Sequence, residues 1–107
     1  MVAQLMDSPS ALDGRLLRPD GVALATTRWA GAGRGVVFAH GFGQTRRAWA
    51  GSAGVLAEQG FDCISFDARG HGDSDWRGAE PYHFDVMGAD LAAVAARVGK
   101  RPVLVGA

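Results

Sequence analysis

Two stretches decide the fold: Val36-Val37-Phe38-Ala39-His40-Gly41-Phe42-Gly43-Gln44, and further on Phe61-Asp62-Cys63-Ile64-Ser65-Phe66-Asp67-Ala68-Arg69-Gly70-His71-Gly72-Asp73-Ser74. Each begins as a short, largely apolar run without clean alternation and breaks abruptly into glycine and polar residues. Runs of this length bounded by turn residues suit strands of a parallel sheet covered on both faces. The polar residues then fall at the carboxyl ends of the strands, where open α/β sheets meet their ligands.

The surrounding pattern supplies the other layers. Val103-Leu104-Val105 is a third apolar run of the same kind. Between the first two runs, Trp49, Ala53, Leu56 and Ala57 stand at i, i+4, i+7 and i+8, which predicts a helix ended by Gly60. Gly51 and Gly54 lower its intrinsic propensity. Between the last two runs, Phe84, Met87, Leu91, Val94 and Val98 line one face of a second helix, and Gly99-Lys100-Arg101-Pro102 stops it. Upstream, Leu16-Leu17-Arg18, the turn Pro19-Asp20-Gly21 and residues 22–29 predict a β-hairpin, because proline presets φ and glycine tolerates positive φ.

The order hairpin, β, α, β, loop, α, β implies right-handed crossovers and an α/β domain of three layers, α/β/α. Residues 1–12 show no periodicity and read as a loose arm, with the domain over residues 13–107.

Composition narrows the function classes. A chain of 107 residues has room for one modest core. Its 48% hydrophobic and 21% charged residues speak against disorder and membrane spanning. Eleven basic residues balance eleven acidic ones without a basic stripe, so no nucleic-acid footprint is expected. The N-terminus lacks a secretory pattern, and the cytoplasm is the default location. Cys63, the single cysteine, sits in an apolar run and reads as a small buried hydrophobe.

Two cofactor patterns fail on context. Gly31-Ala32-Gly33-Arg34-Gly35 looks like a dinucleotide loop but precedes a strand instead of following one. His40, His71 and His83, with Asp67, Asp73 or Asp75, match no zinc spacing. No metal and no cofactor are expected.

A strand, His40-Gly41-Phe42, a helix, a second strand and Asp67-Ala68-Arg69-Gly70-His71-Gly72-Asp73-Ser74 together resemble the N-terminal half of an α/β-hydrolase. The resemblance covers residues 16–107. It implies that the last strand runs into the nucleophile elbow Gly-x-Ser-x-Gly, with Gly106 and Ala107 as its first two residues and the serine one position beyond Ala107. It also implies that the backbone N–H of Phe42 is an oxyanion-hole donor, since acyl transfer builds negative charge on a carbonyl oxygen. His40, Gly41 and Gly43 would give that loop its geometry. Asp67, Arg69, Gly70, His71, Gly72 and Ser74 read as a supporting loop at the rim: Asp67 can accept backbone hydrogen bonds and Arg69 can fork onto a carboxylate. His40 and His71 come too early to be the triad histidine, because the order along the chain is nucleophile, acid, histidine.

The implied activity is hydrolysis of a small ester or related acyl substrate by a serine enzyme. Alternatives are a cofactor-free haloperoxidase or perhydrolase, an epoxide or haloalkane hydrolase, and a non-catalytic receptor on the same fold. Gly43, where epoxide hydrolases usually carry proline, and Phe42, where dehalogenases usually carry a polar residue, weaken the epoxide and haloalkane readings. By itself the 107-residue chain is expected to be inert and to associate through an open sheet edge, with itself or with a complementing C-terminal fragment.

Overall fold

The tight turn foreseen at Pro19-Asp20-Gly21 closes with Gly21 at φ 90°, its N–H donating to Arg18 O over 2.9 Å and Arg18 N–H to Val22 O over 2.7 Å. The structure is a computed structural model describing residues 11–41, 44–75 and 84–106. Around that turn, β1 (Ala11–Leu17) runs antiparallel to β2 (Ala23–Trp29) with Leu16 opposite Leu24. Strand β1 begins at Ala11, five residues before the Leu16 that patterning marks. Residues 11–15 are held by the ladder while their side chains stay exposed, so burial left no periodic trace in the sequence.

The three apolar runs are β3 (Gly35–Ala39), β4 (Asp62–Phe66) and β5 (Val103–Gly106). The sheet order is β1-β2-β4-β3-β5, with β3 parallel to both β4 and β5 and β2 antiparallel to β4. A 3-10 turn (Arg46–Trp49) leads into α1 (Ala50–Glu58), and α2 is Phe84–Ala95.

Residues of β3 alternate between two cores. Val36 and Phe38 pack with Trp29, Cys63, Ala53 and Ala57 under α1. Val37 packs with Leu24, Ile64, Phe66 and Val94 under α2. Burial on both faces is the reason the run is apolar throughout, and it makes the domain a mixed α/β/α sandwich. Helix α2 stops three residues before Val98, because Arg97 N–H and Val98 N–H turn back to Val94 O and Ala95 O at 3.0 and 3.3 Å, tightening the last turn. Val98 still packs against the core.

The glycine run before β3 serves close packing. A Cβ on Gly31 would lie 2.3 Å from Phe61 O, and one on Gly33 would lie 2.7 Å from Gly60 O. Strand β5 has β3 as its neighbour among the described residues, and Leu104 is 56% exposed. No helix among the described residues is long and apolar enough to cross a membrane.

Candidate functional site

The strand register brings three loops to one level. Ala39 pairs with Phe66 on one side and with Gly106 on the other. The residues that follow, His40 after β3 and Asp67 after β4, therefore leave the carboxyl edge of the sheet side by side, level with the end of β5 at Gly106. Gly106 itself is still strand. Phe42, Gly43, His83 and Ala107 lie outside the described residues, as do residues 1–10 of the proposed arm.

Asp67 is fully buried. Its carboxylate accepts from Arg46 N–H at 2.6 Å, from Arg46 Nη1 at 2.5 Å and from Asp73 N–H at 2.9 Å. It thus anchors both the segment entering α1 and its own loop. Arg46 also donates from Nε to Thr27 Oγ1 at 2.9 Å and from Nη1 to Asp73 Oδ2 at 3.1 Å, and its carbonyl accepts from Ser65 Oγ. Burial works against the Arg46 charge, but hydrogen bonds to Asp73 and Asp67 outweigh it and hold the guanidinium above its usual pKa. The same hydrogen bond and the charge of Arg46 hold exposed Asp73 below the usual carboxylate range.

The remainder of the loop folds on this anchor. Gly72 adopts φ 51°, and a Cβ there would lie 2.4 Å from Asp67 Oδ2, so the carboxylate needs glycine beside it. Ser74 Oγ donates to Asp67 O at 2.5 Å and accepts from Ala25 N–H at 2.8 Å. Gly70, at φ 80°, donates its N–H to Asp75 O. Arg69 forks onto Asp90 of α2, Nε to Oδ2 at 2.7 Å and Nη2 to Oδ1 at 3.0 Å, while Nη1 reaches Asp20 at 2.7 Å. These bonds, Asp90 first, hold the Arg69 guanidinium above its usual pKa. Arg18 also binds Asp90, at 2.8 Å, so one carboxylate ties the first hairpin, the β4 loop and α2 together.

His40 is committed at both ring nitrogens: Nε2 accepts from Ala68 N–H at 3.0 Å, and Nδ1 lies 2.8 Å from Gly41 O. His71 stacks obliquely against it, ring centroids 5.2 Å apart, with Nδ1 3.2 Å from Arg69 O. An apolar cleft of about 280 Å3 opens beside His40, walled by Ala39, Phe66 and Ala68 on the sheet side and by Met87 and Leu91 of α2. Cys63 is buried away from this edge, and burial, with Asp62 beside it, pushes its thiol pKa up. Among the described residues no cluster of three metal-ligating side chains occurs.

Sequence reasoning passed over Arg46, Thr27 and Asp90. Asp90 alone carried a local signal: it stands three residues after Met87 and four before Val94, an acid on the apolar stripe of its helix.

Comparison with known proteins places these loops in context. The α/β hydrolase fold family profile matches residues 35–107. A non-heme haloperoxidase of Rhodococcus erythropolis is 35% identical over 85 residues, 79% of this chain and 30% of that protein. A non-heme chloroperoxidase of Kitasatospora aureofaciens is 39% identical over 74 residues, 67% of this chain and 26% of that protein. The chain thus spans less than a third of the length of these relatives. Among solved structures, a thioesterase domain from the curacin biosynthetic pathway superposes with a TM-score of 0.79 at 25% identity, covering 91% of this chain and 37% of the other.

Proposed function

The chain belongs to the α/β-hydrolase fold family, and from that premise we propose that the intact protein is a serine-type acyl hydrolase for which these residues supply the oxyanion-hole loop. The observation that carries the reading is the register of Ala39 with both Phe66 and Gly106. It sets the His40-Gly41 loop beside the end of the strand on which the family carries its nucleophile elbow. A serine at that elbow attacks the substrate carbonyl, and the developing oxyanion takes a hydrogen bond from the Phe42 N–H. Loss of the alcohol or thiol leaves an acyl-enzyme that water resolves. The thioesterase likeness supports an acyl substrate.

The test is Phe42→Pro in the intact protein, which deletes the proposed donor. With a p-nitrophenyl ester, kcat should fall by about 100-fold or more, as removal of one oxyanion donor does. The variant must keep the wild-type melting curve, since proline also constrains the turn. Unchanged kcat in a folded variant removes Phe42 from the mechanism.

The haloperoxidase and chloroperoxidase relatives favour a second reading, in which peroxide takes the place of water at the same acyl-enzyme. Halide oxidation that depends on both a carboxylic acid and hydrogen peroxide would separate it from simple hydrolysis.

A further inference from the structure

On the side away from β5, the sheet ends among the described residues at β1, whose neighbour is β2. Residues 11–15 are exposed, and Leu12 and Leu17 are each 69% exposed. Proteins usually guard such an edge with like charges, proline or a bulge. Strand β1 carries instead two charges of opposite sign, Asp13 and Arg15, on either side of Gly14. Both project from one face of the strand, because side chains alternate along it.

The strand Ala11-Leu12-Asp13-Gly14-Arg15-Leu16-Leu17 is self-complementary about its middle residue. A two-fold axis perpendicular to the sheet relates antiparallel copies of one strand and keeps each face with its like, so it must pass opposite a residue. Placed at Gly14, it pairs all seven residues. Asp13 of each copy then faces Arg15 of the other, Leu12 faces Leu16 and Ala11 faces Leu17. Moving the axis one residue either way sets Asp13 against Asp13 or Arg15 against Arg15, and like charges directly opposite are destabilising. Glycine inside a strand often marks a close approach of another backbone. Packing within the chain does not call for it here, since a Cβ on Gly14 would meet Thr26 Oγ1 at 3.4 Å, an ordinary contact. The bonds within the chain leave the charges within reach of a second copy. Asp13 accepts from Thr27 Oγ1 at 2.7 Å and is 63% exposed. Arg15 meets Asp75 at 3.1 Å in an exposed pair of the kind that contributes little.

We propose that the intact protein forms a homodimer through β1, antiparallel and centred on Gly14, which joins two sheets into one. The occupant of this edge is a second copy because the two charges and the leucines complement their own images. The proposal is independent of the catalytic reading.

Sedimentation velocity of the intact protein over a concentration series tests it. Asp13→Arg leaves basic side chains opposed at both cross-strand pairs, and Arg15→Asp leaves acidic ones. Each should raise the dimer Kd by about tenfold or more. An equimolar mixture of the two variants restores opposite charges at both pairs and should form a heterodimer at concentrations where each variant alone is monomeric. Leu12 belongs to neither core, so Leu12→Lys should keep the wild-type circular dichroism and also shift the protein toward monomer; it decides the question if the charge variants do not fold. A wild type still monomeric at about 100 μM, where a specific strand pairing should be populated, would overturn the proposal. So would a dimer untouched by Leu12→Lys, or a mixture of folded charge variants without heterodimer.

Discussion

Replacing Arg46 by methionine leaves the Asp67 carboxylate in the interior without a countercharge. Asp67 keeps its two backbone donors, Arg46 N–H at 2.6 Å and Asp73 N–H at 2.9 Å, and loses the guanidinium at 2.5 Å; Thr27 Oγ1 loses the Arg46 donor and keeps its own bond to Asp13. Breaking a buried ion pair from one side costs about 3–5 kcal/mol, and the surviving backbone bonds place this case near 3 kcal/mol. Against a total stability of about 5–15 kcal/mol, that is a large fraction. The neighbouring residue is the control. Arg47 is 66% exposed and reaches Asp73 at 3.5 Å, so Arg47→Met should cost under about 1 kcal/mol. Urea unfolding of the intact protein, followed by circular dichroism at constant m, measures both. Pairing Arg46→Met with Asp67→Asn should cost less than the two single changes together by about 1–3 kcal/mol. Equal effects at positions 46 and 47, or strict additivity with Asp67→Asn, would refute the buried anchor.

The backbone and the open edge give two further expectations. Gly72→Ala must hold alanine at φ 51° and place a Cβ 2.4 Å from Asp67 Oδ2, so it should cost more than the ~1–2 kcal/mol of a left-handed residue alone and approach the Arg46→Met value; a melting temperature within a degree of wild type would contradict this. The polypeptide of residues 1–107 should self-associate through β5, where Val103 and Leu104 are exposed, and Leu104→Lys should shift it toward monomer in size-exclusion chromatography, a charge being a standard guard of an open strand; a monomeric parent would contradict the open edge.

Much of the fold was legible because it obeys local rules. The run 36–39 read as a parallel strand since burial on both faces demands continuous apolar residues, 103–105 read as one by the same apolar pattern although Val103 and Leu104 are exposed, and Pro19-Asp20-Gly21 read as a turn because its backbone angles require those residues. The start of β1 was not legible: Ala11 and Leu12 pair with Trp29 and Arg28 through the backbone alone. The end of α2 was overrun because Val98, past the last helical turn, still belongs to the apolar stripe. At the site, Asp67 was expected to accept backbone bonds and Arg69 to fork onto a carboxylate, and both do so. Their partners were invisible because they lie far along the chain: Arg46 stands 21 residues before Asp67 and Asp90 stands 21 after Arg69. Adjacent Arg46 and Arg47 look alike in sequence and differ only in which one the fold buries.

The central claim is that the strand ending at Gly106 delivers the nucleophile beside the His40-Gly41 loop. Treating the intact protein with a fluorophosphonate and locating the adduct by peptide mass spectrometry tests it most directly. The account predicts a single adduct, on a serine immediately following Ala107, with loss of ester turnover in proportion to labelling. An adduct on Ser52, Ser65 or Ser74 that abolishes turnover, or full turnover after a serine following Ala107 is replaced by alanine, would contradict it.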